Sequence, residues 1–459
     1  MSEATPPSAG QQAAASEADG GLAGRAYLGL VLLGAAIGIP AALVAALFLA
    51  FVHELEQWLW DDLPDALGHA SPPWWLVVGL PVAGALLVWL ARSRLPGDGG
   101  HEPLGGLSVA PTPVRNAPGV ALAAIGTLGF GAVLGPEMPV IALGSVVGVA
   151  AAGFVRFGAR ATAVASSAGS FSAISALFGG PLVAGVLLME AAAGTGMTAL
   201  GALLLPGFVA AAVGYLIFTG FGSWGGLDAP GLQIPHLPAY SGVHLGDLLV
   251  AIAVGVAAAI VVASVRRLGT AVARRRERTG LLALLLAGGL AVGLLAQLAD
   301  VLGADSQDVL FSGQASLPTI VAADSTKVIA IVLAAKFLAY GVSLGCGFRG
   351  GPIFPACFLG VALTALTVAW FDVSPTLAIA VGTAAGMAAQ TRLLVSAILF
   401  ATLLVGSAGH DVVPATVLAA AAAWIVSTAL DRRAAAAGDG AAAPAPAAAP
   451  RPARVTAAE

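Results

Sequence analysis

Charge, cysteine and ligand-type histidine are scarce in this 459-residue chain. Charged residues make up 10% of it, against about 25% in soluble domains. With 20 Lys+Arg against 24 Asp+Glu the net charge is -4, so no basic field recruits nucleic acid or another polyanion. Its two cysteines, Cys346 and Cys357, both sit in apolar surroundings. They argue against a disulfide framework and against a CxxC site. Six histidines (His53, His69, His101, His236, His244 and His410) lack ligand spacing, which speaks against a metal site. No nucleophile–base pair or nucleotide motif stands out, so neither an enzyme nor a cofactor is expected.

What the chain has is apolar mass. Hydrophobic residues make up 58%, with 60 Gly and 28 Pro, and the mean hydropathy is +0.94. This composition predicts a polytopic all-α membrane protein, whose spans tolerate Gly and Pro. Residues 1–24 have no basic n-region, so they read as a disordered tail and not as a signal peptide. Residues 434–459 are Ala/Pro-rich and read as a second tail. Between them, 25–433 forms the membrane domain, with halves at about 25–225 and 240–433.

Apolar runs occupy 25–60, 74–91, 118–134, 139–157, 162–177, 181–193, 195–221, 244–265, 281–301, 328–343, 353–371, 375–387, 393–405 and 412–430. A full span needs about 20 residues, and several of these are shorter, cut off by Gly or Pro. Interrupted runs place helix ends inside the bilayer. Arginines cluster at Arg92/Arg94, Arg156/Arg160, Arg266–Arg278 and Arg432/Arg433, while 54–65 and 300–324 are acidic. The positive-inside rule puts the arginine loops and both termini in the cytoplasm.

An internal repeat is the most informative feature. LGFGAVLGPEMPVIALG (128–144) and LGCGFRGGPIFPACFLG (344–360) align without a gap. Leu128/Leu344, Gly129/Gly345, Gly131/Gly347, Gly135/Gly351, Pro136/Pro352, Pro139/Pro355, Leu143/Leu359 and Gly144/Gly360 are identical. Matched copies this far apart predict two homologous, inverted halves meeting near the midplane. In each copy glycines unwind the chain, and a proline placed at the first helical position starts a helix within the membrane. Such a helix N-terminus exposes N–H groups and roughly half a positive charge. Two converging tips predict an anion cradle without a basic side chain. Glu137, taken as second in its helix, is an ordinary partner for a helix dipole. Inside a membrane it is also a candidate gate and proton carrier, and its counterpart is Ile353.

These motifs resemble the CLC chloride channel and transporter family, over essentially all of 26–430. GPEMP (135–139) is similar to the family's G-[KR]-E-G-P, and GPIFP (351–355) to G-x-F-x-P. GDGGHEP (97–103) lies where the family has G-S-G-I-P, and ALFGGPLVAGVLLME (176–190) resembles F-x-A-P-L-x-G-x-L-F-x-x-E. The form GPExP with GFRGGxIFP is most similar to a bacterial branch of ion-transport proteins. The resemblance implies a homodimer in the bilayer, with a chloride pore in each subunit built from two inverted halves. It implies gating by Glu137 and anion binding by the backbone of Glu137, Met138, Pro139, Ile353 and Phe354. Asp98, Gly99, Gly135, Gly351 and Arg349 are implied to line the pore. Exchangers of the family end the P-L-x-G helix with two glutamates, the second relaying protons inward. Here the pair is Glu190-Ala191, and Ala191 carries no proton.

Departures from the family pattern accompany the match. Asp98 stands in place of the central-site serine, where an ionised carboxylate would repel an anion unless it turns away or is protonated. No tyrosine follows Tyr340, so the C-terminal pore tyrosine has no counterpart. Lys336 is expected to pair with Glu190 or Asp324 or to snorkel, Arg349 to support the anion path, and Arg392 to mark a helix start at the interface. The expected function is channel-like or weakly proton-coupled transport of chloride or a similar small anion across a bacterial inner membrane. A proton/chloride antiporter or fluoride exporter of the same fold stands as the alternative. A secondary transporter for a different ion or an organic solute is the alternative of another class.

Overall fold

The computed structural model describes residues 25–155, 158–192, 197–220, 225, 234–371 and 373–436. The first expected tail (1–24), residues 437–459 of the second, and Arg156 lie outside the described residues. In chain order the first half supplies α1 (Arg25–Gln57), α2 (Trp74–Arg94), α3 (Ala117–Leu128), α4 (Glu137–Val155), α5 (Ala159–Leu177), α6 (Pro181–Ala191) and α7 (Met197–Thr219). The second supplies α8 (Leu245–Ala273), α9 (Leu281–Val301), α10 (Thr326–Cys346), α11 (Ile353–Phe371), α12 (Pro375–Thr391), α13 (Leu394–Val405) and α14 (Val413–Ala436). Among the described residues there is no strand, and eight helical stretches are long and apolar enough to cross a bilayer.

Helix starts repeat with one spacing. α4, α5 and α7 begin at residues 137, 159 and 197, and α11, α12 and α14 at 353, 375 and 413, an offset of 216 each time. Packing repeats as well: α4 lies on α5 and α5 on α7, as α11 lies on α12 and α12 on α14. Matched glycines set the closeness of two crossings. A Cβ on Gly144 would stand 2.4 Å from the Gly169 carbonyl, and one on Gly360 2.0 Å from that of Gly382. With lipid outside, such backbone contact replaces the hydrophobic drive that packs helices in water.

The halves are joined residue to counterpart. Gly135 and Gly351 exchange backbone hydrogen bonds of 2.7 and 2.6 Å in an antiparallel bridge. Thr127 Oγ1 accepts from the Arg349 N–H at 3.1 Å, and Ser343 Oγ from the Val133 N–H at 3.1 Å. Each tie and its mate swap the two copies, so a local two-fold passes between them and the copies run in opposite directions. α2 and α9 also pack across this axis, with Gly289 against the Pro81 carbonyl.

Several helix ends differ from the sequence expectation. α3 stops at Leu128 because Gly131 turns the chain with φ 86°, as its counterpart Gly347 does after α10 with φ 117°. α8 continues through polar residues to Ala273, since no Gly-Pro break follows Val265. The last helix reaches Ala436, three residues into the expected tail. Arg392 ends α12 in a left-handed conformation and donates to Asp431 at 2.6 Å, rather than starting a helix.

Charge is sorted by face. Arg276 reaches Glu102 at 2.8 Å and Arg266 reaches Asp431 at 3.5 Å, so the basic end of α8 meets the loop after α2 and the end of α14. At the far end of α1, Trp60, Asp61, Asp65, Asp300 and Asp305 line one cavity of about 450 Å³. The two acidic loops therefore share a face, opposite the start of α1.

Candidate functional site

At the two-fold, the N-termini of α4 and α11 face one another. Both helices begin one residue later than the sequence suggests. Pro136 is the N-cap, its carbonyl accepting from Val140 N–H at 3.0 Å, and Glu137 is the first helical residue. Position three is Pro139 in one tip and Pro355 in the other. Proline has no N–H, so two of the four orphan donors of each tip are deleted. The N–H groups that remain belong to Glu137 and Met138, and to Ile353 and Phe354. This corrects the expected role of Pro139, which fixes the tip's shape and donates nothing.

The Glu137 side chain crosses the axis. Its Oε1 accepts from the N–H of Ile353, its own counterpart, at 2.5 Å, and the N–H groups of Glu137 and Phe354 also act on the carboxylate. The residue is fully buried, and its Oε2 has no hydrogen-bond partner among the described residues. Gly351 and Gly135 form the seat. A Cβ on the first would lie 1.9 Å from Glu137 Cδ, and on the second 2.0 Å from Oε2. Phe354 packs on Phe178 and Phe400, with centroids 5.6 and 5.8 Å away, and forms an aromatic wall beside the seat. The carboxylate is thus held by amides at a positive helix end, an arrangement that suits a negative charge. Hydrogen bonds of this charge-assisted kind contribute about 1.5–3 kcal/mol each.

Tyr340, fully buried, closes the cluster from α10 by donating to the Pro352 carbonyl at 2.7 Å. Sequence reasoning missed it, along with Thr127, Ser343 and Phe178. Thr127 and Ser343 were detectable, since they extend the repeat by one conservative pair.

Asp98, Gly99 and Arg349 come together on the basic side, with Arg92 added. Asp98 is neither protonated nor free to face the tips. Partial burial alone would raise its pKa, but hydrogen bonds and charges from Arg92 and Arg349 hold it below the ordinary aspartate value. Lys336 pairs with neither Glu190 nor Asp324. Its Nζ donates to the carbonyls of Asp308 and Leu310 at 2.9 and 2.8 Å and sits 4.3 Å over the Phe358 ring. Backbone oxygens and a ring face satisfy this buried cation. Glu190 is occupied elsewhere, accepting from Val395 N, Ser396 N and Ser396 Oγ at 3.0, 2.7 and 2.5 Å, and so capping α13. Ala191 ends α6 next to it. Among the described residues no His/Cys/Asp/Glu group is arranged to hold a metal.

A two-fold helical membrane protein whose broken helices aim N–H groups at its centre is built to carry an anion. Comparison with known proteins agrees. Residues 97–428 match the family described as "Voltage gated chloride channel". The chain is 30% identical over 348 residues to "Putative ion-transport protein YfeO" of Escherichia fergusonii, covering 74% of this chain and 79% of that one. To the protein of the same name in Escherichia coli O1:K1 it is 31% identical over 351 residues, with coverage of 74% and 79%. In fold it is similar to "a slow cyanobacterial Cl-/H+ antiporter" (TM-score 0.69, 18% identity, 87% of this chain and 94% of that one). It is similar also to "a CLC-type fluoride/proton antiporter" (TM-score 0.68, 19% identity, coverage 88% and 96%). The chain belongs to the voltage-gated chloride channel (CLC) family, whose members are membrane anion channels and transporters and not enzymes.

Proposed function

We propose that this chain passes chloride, or a similar small anion, by letting it replace the Glu137 carboxylate between the tips of α4 and α11. One observation carries this reading: the carboxylate of one half is seated on the helix N-terminus of the other, with Oε2 unpaired. Protonation would remove the charge that holds Glu137 to the Ile353 N–H, so acid favours its release and raises flux. The transport is channel-like or weakly proton-coupled. Ala191 has no titratable group, and Glu190 is committed to capping α13. Proton/chloride exchange and fluoride export remain the alternatives on this fold. The cavity lined by Asp61, Asp65, Asp300 and Asp305 favours a different, cationic solute, but the N–H groups at the tips offer a cation nothing. The arginine-rich face is assigned to the cytoplasm of a bacterial inner membrane, with both termini on it. The protein acts as a homodimer in the lipid bilayer, which light scattering of the purified protein in detergent would check.

The test is chloride efflux from liposomes with valinomycin, at about pH 4.5 and about pH 7.5 to bracket a buried carboxylate. Wild type passes more chloride at the lower pH, and Glu137→Gln passes chloride at both. A mutant with the wild-type profile would remove Glu137 as the gate. A pH electrode in the same assay should record little proton movement. Stoichiometric proton uptake would establish the antiporter instead, and fluoride moving in preference to chloride would establish the exporter.

A further inference from the structure

Arg92 and Arg349 come from opposite halves, yet both guanidiniums converge on one carboxylate. Arg92 Nε and Nη2 donate to Asp98 Oδ1 and Oδ2 at 2.8 and 2.9 Å, and Arg349 Nη2 donates to Oδ2 at 2.5 Å. Arg349 Nε also donates to the Asp98 carbonyl at 3.0 Å, and Arg92 Nη1 to the Gly347 carbonyl at 2.7 Å. The arginine side chains are 1% and 3% exposed, whereas that of Asp98 is 55% exposed. Water therefore meets the carboxylate first, and the guanidiniums stand behind it. The other charged neighbours are Glu102, 3.6 Å from Arg349, and Arg276, bound to Glu102. His101 is held neutral, because burial and the Arg349 charge push its pKa down. Three arginines against two carboxylates leave the cluster with one excess positive charge.

Asp98 sits in a glycine-rich turn closed by the Gly100 N–H donating to the Gly97 carbonyl at 3.0 Å. Gly97, Asp98, Gly99 and Gly100 have φ of 88°, 49°, 70° and 100°. A side-chain-bearing residue in that region is uncommon, whereas the glycines on either side adopt it without strain, so the side chain is the part that can swing away. The arginines behind the arm hold the unwound segment leading to Ile353: Arg92 binds Gly347, and the Arg349 backbone is tied to Thr127. Through these bonds the pair links Asp98 to the segment that leads into the tip of α11.

We propose that Asp98 is a tethered inner gate: its carboxylate occupies the Arg92–Arg349 pair, and a monovalent inorganic anion entering from the basic face must displace it to reach the helix tips. This rests on the anion-transport reading above. Arginine is always charged and weakly hydrated, so the pair can exchange one anion for another without a proton. Asp98 stays ionised at physiological pH, which makes its release a competition and not a titration. A short arm presents its charge at an effective concentration on the order of millimolar. It therefore raises the anion concentration needed to half-saturate transport from that face.

The experiment measures chloride flux against chloride concentration, with the full chain in liposomes. Asp98→Asn should lower the half-saturating concentration about tenfold, equally at about pH 6 and about pH 8. Asp98→Cys should do the same at about pH 6, where a thiol is less ionised than at about pH 8. The anionic reagent 2-sulfonatoethyl methanethiosulfonate should then restore the wild-type value, and its trimethylammonium analogue should not. Background labelling is small because Cys346 and Cys357 are buried. Wild-type half-saturation in both folded variants would overturn the proposal. So would failure of both variants to fold, because a group displaced in every cycle cannot be essential to the fold. Wild-type protein without anion flux would instead sink the transport reading itself.

Discussion

Replacing Gly351 by alanine should unseat the Glu137 carboxylate and, on the function proposed above, raise anion flux. Its new Cβ would lie 1.9 Å from Cδ, 2.3 Å from Cγ and 2.3 Å from Oε1 of Glu137, its three nearest neighbours. Carbon contacts are comfortable at about 3.5 Å, so the carboxylate must retreat by roughly 1.5 Å. Gly351 is not among the positive-φ residues, and alanine keeps the N–H and carbonyl that bridge to Gly135. Retreat takes Oε1 off the Ile353 N–H and forfeits about 1.5–3 kcal/mol, which shifts the open-to-closed ratio roughly 10- to 150-fold. Valinomycin-assisted chloride efflux at about pH 7.5 should rise toward the acid rate, and the ratio between acid and neutral rates should collapse. Gly360→Ala is the control. Its Cβ meets backbone, the Gly382 carbonyl at 2.0 Å, so it should destabilise the protein without changing the pH profile of what still folds. A folded Gly351→Ala protein with the wild-type profile would refute the seating argument.

Gly135→Ala should act in the same direction as Gly351→Ala, since its Cβ meets Glu137 Oε2 at 2.0 Å; the same efflux assay reads it. Ser343→Ala and Thr127→Val each orphan one buried N–H, of Val133 or Arg349. Each should cost about 1–3 kcal/mol, seen as a lower thermal midpoint in detergent. Glu190→Gln weakens the cap on α13 and should cost about 1 kcal/mol, while leaving the proton-to-chloride ratio unchanged in a liposome assay.

The centre of the site was legible because both halves spell it alike. Gly135/Gly351 and Pro136/Pro352 located the tips, and the offset placed Ile353 opposite Glu137. Pro139 was misread for a chemical reason. Third in its helix, it was counted with the backbone donors of the tip, although a proline ring leaves no N–H to donate. Thr127 and Ser343 were overlooked because they are similar, not identical, and stand before the matched block. The partners of Lys336 lay beyond sequence reasoning, since backbone carbonyls in an irregular segment carry no side-chain signature. Asp98 raised the right question, whether its charge was turned aside, but its answer required Arg92 and Arg349, which come from opposite halves of the chain. Helix ends strayed where polar residues continued a helix beyond the apolar run, as in α8.

The four hydrogen bonds that tie Gly135 to Gly351, Val133 to Ser343 and Arg349 to Thr127 also limit how the molecule can move. They straddle the midpoint, so tilting one half against the other would break them together, stranding buried amides at about 1–3 kcal/mol each. A rocking bundle that alternately exposes its centre is therefore an expensive motion for this protein. The permissible moving parts are small, such as single side chains, while the scaffold keeps still, and turnover should survive a covalent crosslink between the halves.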